Sequence, residues 1–146
     1  MSHKGTLFES DFEEAFIALL QQAGWNYTAG DQVPNRKETE ALIEDDLRQY
    51  LQYRYAQEQL SDIDLEKIVA NLRNTGGASY YEALRNSCQL YIDGLTYTHE
   101  AKQRPAFHLD YIDFETPKNN IFRAVNQFTM IEGKENRRPD ILLFIN

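Results

Sequence analysis

The residues best suited to chemistry lie in one short segment late in the sequence. Asp140 follows Arg137, Arg138 and Pro139, and Lys134 lies shortly before them. A carboxylate in such a place can bind a hard cation such as Mg²⁺, which takes one or two carboxylates together with phosphate oxygens. The two arginines can hold phosphate groups through paired hydrogen bonds. The segment therefore indicates metal-assisted chemistry on a phosphate, but an acid before a strand is also a common turn residue, and this motif alone leaves both interpretations open.

A buried strand has to position Asp140. Residues 141–145 are apolar without alternation, which is typical of a strand covered on both faces. Pro139 lacks an amide hydrogen and is tolerated at the start of a strand but not in its middle. We therefore expect Pro139 to mark the entry to this strand and Asp140 to lie at the rim of a sheet.

The rest of the chain changes character about two thirds of the way along. Apolar periodicity and capping residues predict helices over residues 8–23, from Asn35 to about residue 57, from Asp62 to about residue 72, and from Ser79 to Gly94. Aromatic and β-branched residues then predict strands over 95–98, 107–114 and 121–131, before the final strand at 141–145. The predicted fold class is α+β, with a helical first half followed by a mixed or antiparallel sheet.

Several segments of the sequence resemble one family. They are FESDFEEA at residues 8–15 with Gly24 and Trp25 after it, DYIDF at 110–114, NNIFRAVNQF at 119–128 and RPDILLFIN at 138–146. In order and wording they resemble the N-terminal nuclease region of the restriction subunit of type I restriction-modification enzymes. The resemblance implies a partial restriction-endonuclease-like core of the PD-(D/E)xK type, in which Asp140 is a catalytic residue and a metal ligand.

The same resemblance implies that half of the site is missing. In the family, a Glu-x-Lys on the next strand supplies a second acid and a lysine, and no Glu-x-Lys follows Asp140 here. We therefore expect residues 1–146 to be a single domain, a truncated N-terminal endonuclease domain of a larger multidomain subunit, and to be inactive alone. The implied cofactor is Mg²⁺. ATP would serve only motor domains, since the chain has no Gly-x-x-x-x-Gly-Lys-Ser/Thr motif.

A second acid is expected from the first helix. The resemblance matches Glu13 to an acid that such folds add to the metal site. The alternative is a capping box formed by Ser10 and Glu13, although Thr6 and Glu9 form an equally good box one turn earlier. Glu9 and Glu14 are the other candidates for the helix-borne acid.

Other residues have supporting or structural interpretations. Gln127, within the NQF segment, either orients the site or is an ordinary polar residue of a sheet face. Arg137, Arg138 and Lys134 are the predicted contacts to DNA phosphates. Structural roles are expected for the remaining candidates: surface or turn positions for His3, His99 and His108, a buried position for Cys88, and a solvated edge for Asp110, Asp113 and Glu115.

Composition bounds the possible partners. The sequence starts with no signal-peptide pattern and its longest apolar run is too short to span a bilayer, so a soluble, cytoplasmic protein with no membrane partner is expected. The net charge of −8 opposes simple DNA binding, but the acids concentrate between residues 9 and 66 while bases exceed acids after residue 117. The expected partners are double-stranded DNA and the methylation and specificity subunits. The alternative is a non-catalytic assembly module or an acidic DNA mimic.

Overall fold

The computed structural model of the chain describes residues 8–101 and 103–146. These residues form two compact units. One contains the chain up to Ala41 together with Ile121–Ile145, and the other contains Leu42–Asn120 and Asn146. Within these described ranges, four α-helices and seven short strands make the fold α+β, as the sequence predicts. No helix among the described residues is both long and apolar enough to cross a bilayer.

The first unit is built on a mixed three-stranded sheet. The helix α1 (Glu9–Gln22) leads into β1 (Asn26–Ala29), which pairs in parallel with β4 (Phe122–Asn126). The strand β4 is central and pairs antiparallel with β7 (Ile141–Ile145). Side chains buried on this framework include Ile17, Ala124, Val125 and Phe128.

A sharp turn divides the single strand predicted over residues 121–131. Gln127 has a φ of 50°, in the left-handed region that residues with a side chain rarely adopt, so the chain leaves the sheet after β4. It returns in a separate hairpin of β5 (Met130–Glu132) and β6 (Glu135–Arg137). Gly133, with a φ of 61°, and Lys134 form the turn of this hairpin.

An arginine fastens the loop after β1 to this region. The guanidinium of Arg36 lies 3.5 Å from the centre of the Phe128 ring. It donates to the carbonyl oxygens of Thr129 (2.5 Å) and Glu40 (3.0 Å). Burial lowers the pKa of Arg36, although the neighbouring Glu38 and Glu40 oppose the change. Arg36 is therefore a packing residue that is tied to backbone rather than a free cation.

The second unit carries three helices and a small antiparallel sheet. The helices are α2 (Glu44–Arg54), α3 (Asp62–Arg73) and α4 (Tyr80–Asp93), and the strands are β2 (Leu95–Tyr97) and β3 (Phe107–Leu109). Ser79 caps α4 by accepting from the amide of Glu82 (3.2 Å), as predicted. The core contains Leu51, Leu65, Ile68 and Val69, together with Tyr111, whose hydroxyl donates to the Ile68 carbonyl (2.7 Å).

Buried acids hold this second unit together. Asp64 is 2% exposed and accepts hydrogen bonds from Ser61, Tyr97 and the amide of Glu100. Burial alone would raise the pKa of Asp64, but these hydrogen bonds outweigh it and hold the pKa well below its usual range. His99 lies beside it with its side chain fully buried, and its Nδ1 forms no hydrogen bond with any residue that the structure describes.

Several expectations are corrected by these observations. His99 is buried rather than at the surface, and Asp113 is 6% exposed rather than on a solvated edge because Arg54, Asn119 and the Thr116 amide bond to it. Cys88 is exposed, because α4 buries none of its residues. His108 is exposed, and His3 lies outside the described residues.

The element bounds also differ from the prediction in places. Asn35 has a left-handed φ of 55°, which a helix start cannot adopt, so α2 begins only at Glu44. The strand β1 was not predicted, and β3 ends at Leu109 rather than at residue 114. Among the described residues β7 is an edge strand, and Leu143 and Ile145 are 48% and 40% exposed, so the expectation of cover on both faces is wrong.

Candidate functional site

The pairing of β4 with β7 places Gln127 opposite Asp140. Asn126 is the register partner of Ile141, and the ladder continues one residue further because the Gln127 amide donates to the Asp140 carbonyl (2.9 Å). Asp140 therefore stands directly before β7, on the rim of the sheet, as the sequence predicts. Its carboxylate is exposed and faces the side chain of Gln127, whose Nε2 lies 3.4 Å from Asp140 Oδ1.

Glu13 reaches the same place from α1. Its Oε2 lies 3.3 Å from Gln127 Nε2, and its Oε1 accepts a hydrogen bond from Asn126 Nδ2 (2.9 Å). One amide nitrogen thus contacts both carboxylates, although Glu13 and Asp140 are separated by most of the sequence. Contacts of 3.3 and 3.4 Å exceed the usual length of an N–H···O hydrogen bond, so Gln127 is a loose bridge between the two acids.

The alternatives for the first helix are partly resolved. The helix begins at Glu9 and its first turn is closed by a bond from the Phe8 amide to Asp11 Oδ2 (2.9 Å). Ser10 is therefore inside the helix and cannot form the capping box with Glu13. Glu9 and Glu14 are exposed, whereas Glu13 is half-buried against the end of β4. Thr6 lies outside the described residues.

The donor set at this place suits a hard cation. It offers two carboxylates, and Mg²⁺ usually takes one or two from a protein together with water and phosphate oxygens. In the part of the chain that the structure describes, no lysine, arginine or histidine pairs with either acid, so their negative charge is met only by neutral amides. No group of three or more His, Cys, Asp or Glu side chains able to hold a metal occurs among residues 8–101 and 103–146. The two acids therefore fit part of a magnesium site.

Basic side chains lie along the chain that leads into Asp140. Lys134, Arg137 and Arg138 are all exposed, and so are available to a charged ligand. Arg138 also lines a cavity of about 460 Å³ whose wall includes Asn126 and Gln127. The predicted contacts of these three residues to DNA phosphates, and the site roles of Glu13, Asp140 and Gln127, stay predictions.

Sequence reasoning missed two residues at this place. Asn126, which bonds to Glu13, is in turn bonded by the Tyr27 hydroxyl, which donates to Asn126 Oδ1 (2.9 Å). The strand β1 that carries Tyr27 gave no apolar alternation to detect. The only signal was the position of Asn126 directly before Gln127 in the NQF segment.

Comparison with known proteins decides the family of this chain. The model of the family described as "Type I restriction enzyme R protein N terminus" matches residues 6–146. The chain belongs to this family. The resemblance that the sequence motifs indicate is thereby confirmed, and it places the chain in a family of nuclease-related enzymes.

One curated relative aligns with nearly the whole chain. The chain is similar to the "Type I restriction enzyme HindI endonuclease subunit" of Haemophilus influenzae, with 26% identity over 155 residues. The alignment covers 96% of this chain and 14% of the relative. The chain thus spans about one seventh of the length of the protein that it matches.

Proposed function

We propose that this chain is the endonuclease region of a type I restriction subunit, and that it contributes Asp140 and Glu13 to a Mg²⁺ site for hydrolysis of double-stranded DNA. The main support for this proposal is that the side-chain amide nitrogen of Gln127 contacts both carboxylates. The two acids come from distant parts of the sequence and lie together, yet among the described residues neither is paired with a lysine, arginine or histidine. A shared cation supplies the reason.

Each residue has a distinct part in this proposal. Bound Mg²⁺ would polarise the scissile phosphate and lower the pKa of the attacking water. Asp140 and Glu13 would hold the cation. When no cation is bound, Gln127 would bridge the two acids. Because its contacts are long, the Gln127 amide can turn away at small cost when a cation arrives.

The basic residues would position the DNA. Arg137 and Arg138 have planar guanidinium groups that can bind a phosphate through two parallel hydrogen bonds, and Lys134 adds a point charge from the β5–β6 turn. Their exposure leaves them accessible to a duplex. They would hold the backbone on either side of the scissile phosphate.

The remaining machinery would come from outside residues 1–146. Since the relative is about seven times longer than the matched region, we propose that the chain acts inside a larger subunit that is driven by ATP. Methylation and specificity subunits would select the DNA, and a Glu-x-Lys would complete the site. The chain alone would then be inactive. The proposed cellular localisation is the cytoplasm.

The test separates cleavage from ATP hydrolysis in a complete restriction complex. Asp140→Asn and Glu13→Gln should abolish DNA cleavage and leave ATP hydrolysis near the wild-type rate, because neither residue serves a motor. The matched controls are Glu135→Gln, in the exposed strand β6, and Glu14→Gln, next to Glu13 on α1. Wild-type cleavage by Asp140→Asn would refute the proposed metal role of Asp140. Cleavage of plasmid DNA by the chain alone would refute only the proposal that the chain needs a Glu-x-Lys from outside residues 1–146.

A further inference from the structure

A second amide fixes Glu13 more firmly than Gln127 does. Asn126 Nδ2 donates to Glu13 Oε1 at 2.9 Å, and the Tyr27 hydroxyl donates to Asn126 Oδ1 at the same distance. Both distances are normal for a hydrogen bond, whereas the contacts of Gln127 are long. The side chains of Tyr27 in β1, Asn126 in β4 and Glu13 in α1 are therefore linked by two consecutive hydrogen bonds, and we call this hydrogen-bonded chain the relay.

The chemistry of the groups fixes the direction of this relay. An ionised carboxylate only accepts hydrogen bonds, so the Asn126 amide must turn its nitrogen toward Glu13 and its oxygen toward Tyr27. That oxygen needs a donor, which the Tyr27 hydroxyl provides. Burial raises the pKa of Tyr27, and the nearby charge of Glu13 raises it further, so the hydroxyl keeps its proton.

The sheet supplies the rigidity that such a relay needs. Tyr27 is paired in register with Ala124, two residues before Asn126, so Tyr27 and Asn126 project from the same face of paired strands. The hydrogen bond between them runs diagonally across that pair. Because both residues lie on strands rather than in loops, the position of the Asn126 amide is well defined.

We propose that Asn126, oriented by Tyr27, is a positioning residue that aims the Glu13 carboxylate at the metal site beside Asp140. The inference rests on the proposed metal role of Glu13. Asn126 itself would touch neither the cation nor the DNA. It would set one oxygen of Glu13 in place and leave the remaining acceptor capacity of the carboxylate free for the cation.

The hydrogen bonds of the relay can be tested by nuclear magnetic resonance on this chain, with no metal added. The side-chain amide resonances of Asn126 should shift in Tyr27→Phe and in Glu13→Gln, because each variant changes one end of its hydrogen-bonding network. Tyr53→Phe and Glu14→Gln, at exposed positions, are the matched controls. Unchanged Asn126 resonances in both test variants would overturn the relay.

The positioning role is tested by Mn²⁺ affinity in the restriction subunit that carries this chain. Electron paramagnetic resonance would measure Mn²⁺ binding in the absence of nucleotide. The binding that is lost in Asp140→Ala identifies the proposed site. Asn126→Ala should weaken Mn²⁺ binding about tenfold, in line with other residues that support a metal ligand. Asn136→Ala, in the exposed strand β6, should bind normally.

A double variant distinguishes the possible failures. If Asn126 acts through Glu13, adding Asn126→Ala to Glu13→Gln should cause no further loss of affinity. A further tenfold loss, or normal affinity in Asn126→Ala alone, would overturn the positioning role while Glu13 keeps its own. Normal affinity in Glu13→Gln would instead remove the proposed metal role of Glu13, whatever Asn126 does.

Discussion

Gly30 supports the candidate site through a close approach of two backbone segments. A Cβ built on Gly30 would lie 2.7 Å from the carbonyl carbon of Gln127 and closer still to the carbonyl oxygens of Asn126 and Gln127. Ordinary contacts start at 3.4 Å. The obstructing atoms belong to backbone, so no side chain can rotate away. Gly30→Ala should therefore displace the end of β4 and the turn that follows it, which carry the two amides that contact Glu13.

The magnitudes follow from the size of this displacement. The backbone must yield by about 1 Å to restore ordinary contact. Overpacking of this kind costs about 1–3 kcal/mol of folding free energy. A misplacement of about 1 Å at a reacting site can reduce the rate about a hundredfold, so DNA cleavage should fall much further than stability does.

Two measurements check this expectation. Urea denaturation of the chain gives the change in stability, and cleavage by the complete restriction complex gives the change in rate. Gly76→Ala is the control, since no atom of the described residues lies within 4 Å of its added Cβ and its φ is not left-handed. We expect its stability to change by no more than about 0.5 kcal/mol. Wild-type stability in Gly30→Ala would refute the close approach. Lost stability with wild-type cleavage would refute the link between this turn and the site.

Three further expectations concern packing and charge. Asp64→Ala should destabilise the chain by about 3 kcal/mol in urea, because it leaves buried donors unsatisfied, whereas the exposed Asp62→Ala should cost less than 1 kcal/mol. Hydrogen bonds lower the pKa of Asp64 and Asp113 in the folded chain. The stability that these two acids contribute is therefore complete above about pH 5 and declines as the pH falls below about 4. Urea midpoints at a series of pH values measure this decline. A flat profile from pH 7 to 3 would contradict this sign. Arg36→Lys should lose about 2 kcal/mol, because a lysine keeps the charge but loses the planar stacking and one backbone bond, and an unaltered melting curve would contradict that reasoning.

Local capping signals predicted the bounds of α4 well. The cap at Ser79 and the stop at Gly94 bound α4 as expected. The start of α2 was misplaced because the pattern at Asn35 satisfies the capping rule, while the real backbone there is left-handed. Sequence patterns indicate local preference only. Here the contacts that Arg36 makes with Phe128 and the Thr129 carbonyl hold the segment in a loop instead of a helix.

The sheet and the site depend on contacts between distant residues. The strand β1 has only four residues and little apolar character, and it is stabilised by pairing with β4 almost a hundred positions later. The same pairing creates the relay from Tyr27 to Asn126, so neither could be predicted from a local pattern. Asp140 and Glu13 were predicted because the family resemblance identified them. Their closeness follows from the structure, and their roles await experiment.

The most direct measurement is the location of a bound cation in crystals of a restriction subunit that carries this chain, soaked with Mn²⁺ and examined by anomalous diffraction. We expect one anomalous peak in contact with carboxylate oxygens of both Glu13 and Asp140, with the Gln127 amide turned away from the position it now holds between them. A site where Gln127 still bridges the two acids while Mn²⁺ binds elsewhere on the nuclease region would contradict the proposed metal site.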